Sequence, residues 1–421
     1  MILPDLNTRF AGRRGALFGL ALRTSLLTVL TLGFYRFWMK TRLRRWYWSA
    51  IRPGGHPLEY VGDPLEKLLG FLIAVAFLAF YIGVVNLVLM FLAFTLLGGD
   101  AFAYSASFVG LIPVVFYARY RARRYMLART RWRGIRFGSE PAAWGYAWRA
   151  MAHWAVTILS LGLLWPRMTF ALEKFRTDRT WFGDARLEQT GRWQSLYRGG
   201  IHAGLGALVL LAGASMLFLA DPEGEIGDLS VIVIAAGLAW FVVGVLHYRV
   251  RSFRILTAGK RLVLPGESGL EAPGEVSVPA TGLRSAARTG RVLRIQVFGN
   301  LLAILLMLLA LIPLGVLLAL LVGLAEGAFA ALSQGAPDVL ERLGSAPLLV
   351  QGAVGVTAYF AFFILWGVLR QVFVTMPVLA HYAETLTITD PLALAQVHQR
   401  GADSFAEADG LAEALDLGAG I

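Results

Sequence analysis

The side chains best placed to do chemistry are the few polar groups set inside apolar runs. Arg23, Arg149 and His153 each interrupt a stretch otherwise rich in Leu, Ala, Val and Trp. A charge at the centre of a bilayer costs at least about 2.5–3.5 kcal/mol, so such groups are retained for a reason. Arg149 and His153 are four residues apart and share one helical face. Together with Asn86 and Asn300 they make a candidate intramembrane polar site, suited to an anionic ligand or a proton. The blander reading is that Arg23 and Arg149 snorkel from shallow segments, and that Asn86, Asn300 and Gln351 bridge helices by hydrogen bonds.

The rest of the chemical inventory is thin. With no Cys, thiol catalysis, Fe–S clusters and Cys-ligated zinc are excluded. The six His include no i, i+4 pair and no His-Glu-x-x-His. His381 and Glu384 read as a surface pair. No Gly-x-Ser-x-Gly elbow, Walker loop or supported dinucleotide fingerprint occurs. The expectation is a protein that is not an enzyme and carries no cofactor or metal.

The elements that would hold these groups are membrane helices. The chain has 421 residues, of which 57% are hydrophobic and 16% charged, with a mean hydropathy of +0.62. That is too oily for a soluble domain, which is typically about 25% charged, and it excludes disorder. Eight stretches are candidates for spanning or embedding: 15–34, 68–97, 101–118, 143–165, 201–220, 229–248, 295–325 and 348–370. The first carries Arg23 and lacks a small-residue cleavage site, so it reads as retained rather than as a signal peptide.

Charge sets the orientation. The net excess of +12 is concentrated in 36–52, 119–136 and 249–261, whereas 98–100, 221–228 and 326–346 are neutral or acidic. Short basic loops stay in the cytoplasm, so three hairpins (68–118, 201–248 and 295–370) enter and return on that side, with both termini cytoplasmic. Segments 15–34 and 143–165 then have basic flanks on both sides. The expected fold is an all-α polytopic membrane protein. It has three helical hairpins in repeated units, two short re-entrant or interfacial segments and small cytoplasmic strand-turn pieces. It makes six crossings, with eight as the alternative.

The two odd segments are also related in sequence. Thr28-Val-Leu-Thr-Leu-Gly33 and Thr157-Ile-Leu-Ser-Leu-Gly162 lie 129 residues apart. Leu58-Glu59-Tyr-Val-Gly62 and Leu187-Glu188-Gln-Thr-Gly191 keep the same offset. Gly33, Glu59 and Gly62 thus pair with Gly162, Glu188 and Gly191 as a repeat motif. The expected organisation is a first unit over 1–139, a second over 140–262, a linker over 263–292, a partial third unit over 293–400 and an acidic tail over 401–421. The tail reads either as docked on the arginines or as a solvated end.

Leu30-Thr-Leu-Gly-Phe-Tyr-Arg-Phe-Trp38, Lys40-Thr-Arg-Leu-Arg-Arg45, Leu58-Glu-Tyr-Val-Gly62 and Ala408-Asp-Gly-Leu-Ala-Glu-Ala-Leu-Asp416 resemble the YjgN-like family. The resemblance runs the length of the chain, although Trp165-Pro-Arg167 replaces Arg36-Phe-Trp38 in the second copy. It implies a multi-pass protein of the bacterial inner membrane and no particular activity.

Two functions fit. One is a transporter or channel for an anionic or amphipathic solute, since transporter folds are often built from repeats. The other is a non-transporting module that binds anionic lipid or a partner protein. Arg42, Arg44, Arg45, Arg119, Arg121, Arg123 and Arg124 would make the headgroup or partner contacts. Beside membrane helices, arginines interleaved with Trp and Tyr need no nucleic acid to explain them.

Overall fold

A computed structural model describes residues 4–97, 100–219, 225–265, 281–335 and 346–401. Its central feature is a ten-stranded antiparallel sheet. The strands are β1 (Leu6–Phe10), β2 (Ile51–Pro53), β3 (Leu58–Tyr60), β4 (Thr130–Trp132), β5 (Ile135–Ser139), β6 (Thr180–Phe182), β7 (Ala185–Gln189), β8 (Lys260–Val263), β9 (Gly282–Ser285) and β10 (Leu386–Thr389). They pair in the order β2-β1-β10-β9-β8-β7-β6-β5-β4-β3. The two end strands, β2 and β3, are joined by only residues 54–57, so the ribbon curls into a nearly closed barrel. Strands of three to five residues cannot stand alone. They hold because alternate side chains point into one shared core. Leu6, Leu58, Trp132, Phe182, Leu262 and Ile388 meet there, joined by Ala393, Leu394 and Val397 from the segment after β10.

Because neighbours alternate in direction, the links alternate between rims. On one rim they are short: 54–57, Arg133-Gly134, Gly183-Asp184 and the longer 264–281. On the other rim every link is helical. α1 (Arg14–Leu30) and α2 (Arg36–Ala50) join β1 to β2. α3 (Pro64–Phe80), a π-helical turn at Tyr81–Val85, α4 (Asn86–Leu97) and α5 (Asp100–Ala128) join β3 to β4. α6 (Ala143–Leu159) and α7 (Trp165–Thr177) join β5 to β6. α8 (Tyr197–Leu219) and α9 (Glu225–Ala258) join β7 to β8. α10 (Thr289–Gly335), α11 (Ala346–Arg370), a π-helical turn and α12 (Met376–Glu384) join β9 to β10.

This corrects the expected all-α fold. The strand-turn pieces are the staves of one barrel, in which local hairpins such as β4–β5 and β6–β7 are joined to partners far away in sequence, such as β1 with β10. Among the described residues, four helices rather than six or eight are long and apolar enough to cross a membrane: Trp193–Leu219, Gly227–Ala258, Thr289–Ala325 and Gly352–Glu384. Residues 68–97 fall in α3, the π-helical turn and α4. Segments 15–34 and 143–165 each give a 17-residue helix that stops at a tight turn, a length of about 26 Å at 1.5 Å per residue. The tail from 402 and residues 266–280 of the 263–292 linker lie outside the described residues, and the rest of that linker includes β9 and the start of α10.

Two compact units emerge. The first takes its described residues from Met1–Ala11, Arg44–Leu293 and Ala380–Ile421, and contains the barrel. The second comprises Gly12–Leu43 and Arg294–Leu379. Within the second, Ala303, Met307 and Leu369 form a core with Trp366 and Phe373.

The two segments 129 residues apart share their geometry. α1 ends where the Gly33 N–H donates to Thr28 O at 2.7 Å, and α6 where the Gly162 N–H donates to Thr157 O at 2.8 Å. This is the 6→1 bond of a Schellman cap, which needs a left-handed residue before it. That residue is Leu32 (φ +50°) in one and Leu161 (φ +51°) in the other. Both leucines are more than nine-tenths exposed. Gly33 and Gly162 follow with φ of +95° and +85°.

Candidate functional site

The side chains that could act in concert cluster where helices meet the barrel. On α7, Glu173 accepts from Arg176 Nη2 at 2.7 Å and pairs with Lys260 Nζ from β8. Arg123 of α5 faces the same carboxylate, and its guanidinium reaches Thr180 Oγ1 at 3.5 Å. Burial alone would push the Glu173 carboxyl up. Lys260, Arg176 and Arg123 outweigh that and hold it well below the usual carboxylate range. Burial pulls Arg123 down from the ordinary arginine value, against the attraction of Glu173. Three cations around one carboxylate make a locked, net-positive knot.

Arg44 sits 129 residues before Glu173, at the matching position of α2. It is buried, lies over the rings of Trp48 and Tyr60, and donates to Tyr60 Oη at 3.4 Å. The buried Lys67 ammonium approaches the same Tyr60 ring at 4.9 Å. Next to it, Glu66 accepts from Arg129 at 2.8 Å and from Tyr125 Oη at 2.9 Å. Burial raises Tyr60 above the usual phenol value.

Of the residues expected to form an intramembrane polar site, Arg149 and His153 belong to the first unit and Arg23 and Asn300 to the second. Arg149 is exposed on α6, lies over Phe175 at 4.8 Å and donates to Gly145 O. His153 is half-buried, and desolvation plus the nearby Arg167 lowers its pKa. Arg23 is exposed on α1, in the other unit. Asn300 donates to Gln296 O, one turn back in its own helix, at 2.7 Å. The side chains of Asn86 and Gln351 lie outside the described part of the structure. α1 and α6, which carry Arg23, Arg149 and His153, are not among the four long apolar helices.

The proposed headgroup arginines divide by direction. Arg119 is exposed, and Arg42 is exposed beside the Tyr35 ring. Arg45 is exposed and donates to Gly62 O at 2.9 Å. Arg121 donates to Tyr117 Oη, and Arg124 to Ser139 O. Arg44, Arg123 and Arg124 therefore point into protein. In the repeat motif, Glu59 stands opposite Arg131 on the outer barrel wall, and Glu188 pairs with Arg261 at 3.1 Å. A Cβ on Gly62 would strike the Tyr60 ring, and Gly191 has φ +98°.

Two features escaped the sequence reading. One is the Glu173 knot, whose members come from α5, α7 and β8. The other is the α8–α9 contact, where Gly199, Gly206 and Gly213 recur every seven residues opposite Gly237 and Gly244. A Cβ on Gly206 would come within 2.5 Å of Phe241 N, and one on Gly244 within 2.5 Å of Ala203 N. Small residues permit this backbone approach, as in membrane helix pairs. The seven-residue spacing was a readable signal.

A family described as "Bacterial protein of unknown function (DUF898)" matches residues 5–263. The chain belongs to the DUF898 family. The match bears out the YjgN-like resemblance. It ends with β8 and so takes in both copies of the repeat and four of the five strand–helix–strand units. No curated protein and no solved structure matches the chain. The DUF898 chain is thus a bacterial membrane protein of unknown activity, with long apolar helices and a barrel domain.

Proposed function

We propose that the protein is a non-conducting module of the bacterial inner membrane that gathers anionic lipid at the helical rim of a cytoplasmic barrel. The α8–α9 hairpin carries the reading. Its arms present Leu205, Leu208, Leu211, Val231, Ile232 and Val242 to the outside. At their barrel-proximal ends stand the exposed Arg198, Arg249 and Arg254, and at the far end the exposed Asp228. None of the three arginines forms an ion pair among the described residues. A guanidinium beside an apolar span attracts anionic headgroups at about 1 kcal/mol each, and the bias keeps that end cytoplasmic. The barrel interior supports a platform rather than a conduit, since Trp132, Phe182, Leu262, Ile388 and Val397 fill it.

The test is native mass spectrometry of the purified chain with phosphatidylglycerol and phosphatidylcholine, for the natural protein and for R198Q/R249Q/R254Q. Three lost charges should weaken phosphatidylglycerol binding roughly a hundredfold and leave phosphatidylcholine unchanged. Equal phosphatidylglycerol retention by both proteins overturns the proposal. So does flux of an anionic solute through proteoliposomes, which would favour transport.

A further inference from the structure

The outer wall of the barrel carries positive charge that its own strands offset only in part. Arg9 on β1 stands directly opposite Arg52 on β2, and Arg131 on β4 directly opposite Arg136 on β5. Like charges placed opposite each other across a sheet are destabilising. Arg186 on β7 and Arg261 on β8 continue the same face, and the acids on it are Glu59 and Glu188. Glu188 is engaged by Arg261. Glu59 opposite Arg131 and Asp184 at the β6–β7 turn offset part of the charge of Arg131, Arg136, Arg186 and Arg400, and the neighbourhood stays net positive.

The chain itself arrives at that patch. After Val397 packs in the barrel core, the His398 N–H donates to Asp184 Oδ1 at 2.9 Å. The Asp184 N–H donates back to His398 O at 2.9 Å. The Gln399 side chain then accepts from the Arg136 N–H at 2.8 Å. Arg400 lies over the Trp181 ring, which Arg186 also flanks. The chain therefore emerges on the outer wall among these arginines. The C-terminal segment 402–421 has Asp403, Glu407, Asp409, Glu413 and Asp416 and no base. Twenty residues reach up to about 66–72 Å when extended, ample to cover the patch.

We infer that the acidic segment 402–421 docks on the outer barrel wall over Arg131, Arg136 and Arg186, and shields it from other polyanions. The patch is separate from the arginines at the helix ends, so lipid binding there can fail while this contact stands.

The absence of natural Cys makes a disulfide test clean. A Cβ at Gly138, on β5 opposite Trp181, meets open space. In the full chain, G138C/A408C should cross-link readily and N7C/A408C slowly, because Asn7 lies on the outer face of β1. Raised salt, or D403N/E407Q/D409N/E413Q/D416N, should slow the first pair severalfold. The neutralised chain should also bind inorganic polyphosphate on the order of tenfold more tightly than the natural one, since an intramolecular competitor is gone. Equal cross-linking in both pairs, insensitivity to salt and neutralisation, or unchanged polyphosphate affinity each overturns the inference.

Discussion

The first and second copies place opposite charges at one helical position. In α2 the residue is Arg44, settled on the faces of Trp48 and Tyr60. In α7 it is Glu173, gripped by Lys260 and Arg176 with Arg123 beside it. The caps before these helices are alike: Thr28 approaches Met39 Sδ at 3.8 Å and Thr157 approaches Met168 Sδ at 3.7 Å. The two segments therefore share their turn geometry and differ in their buried electrostatics. A Schellman turn is dictated by its own few residues, whereas a buried charge answers to whatever packs on it. In the first copy that is a phenol and an ammonium on the β3 side. In the second it is a cation from each of α5 and β8, and another from α7 itself.

Removing the charge should separate the copies most. Glu173→Gln leaves Lys260, Arg176 and Arg123 crowded together, and breaking such a buried pair costs about 3–5 kcal/mol. Arg44→Leu removes a cation and leaves a neutral phenol, so its loss of stability should be the smaller. Denaturation of the two variants in detergent orders them, and an equal or reversed order breaks the comparison. Next comes the helical link, where the second copy has a seven-residue glycine seam. Gly206→Ala drives a Cβ into the Phe241 backbone. An overpacking cost of about 1–3 kcal/mol is expected, read as a lowered unfolding midpoint.

The turns should behave alike. Gly33→Ala and Gly162→Ala place a Cβ on left-handed residues, at about 1–2 kcal/mol each. Matched shifts sharpen the case that the caps are equivalent, and a shift in only one copy argues against it. The smallest effect per step is in pH. Because the folded pKa of Glu173 is depressed, its contribution is complete above the ordinary value of 4.5. It is lost as pH falls through the folded value. The stability advantage of the natural chain over Glu173→Gln should narrow below about pH 5, by no more than about 1.4 kcal/mol per pH unit. A gap that stays constant to strongly acidic pH contradicts the depressed pKa.

Some of this was legible in the residues. Thr157-Ile-Leu-Ser-Leu-Gly162 matches Thr28–Gly33 at a fixed offset, which needs only comparison along the chain, whereas the turn that ends each helix inside 15–34 and 143–165 was not read. The apolar runs at 201–220, 229–248 and 295–325 announce long helices because burial in lipid is a property of composition. Of the site residues, Arg119 and Arg42 lie exposed as the basic clusters implied. Arg44, Arg123 and Arg124 differ from their exposed neighbours only through the rings, carboxylates and carbonyls that fold against them. The run 68–97 carries no sign in its hydropathy of the π-helical turn at Tyr81–Val85.

The sequence by itself determined the membrane class, the 129-residue spacing of related segments and the clustering of positive charge along the chain. These follow from hydropathy and spacing, which act between near neighbours or repeat at a fixed period. Tertiary structure alone decided that ten strands as short as Ile51–Pro53 and Thr180–Phe182 close into one barrel. It also decided that Glu173 meets Lys260, and that Leu58 stands against Trp132. A three-residue strand carries too little pattern to name its partner. A carboxylate is silent about which of 39 basic side chains will reach it. Only the packing of distant segments around a shared apolar core settles both.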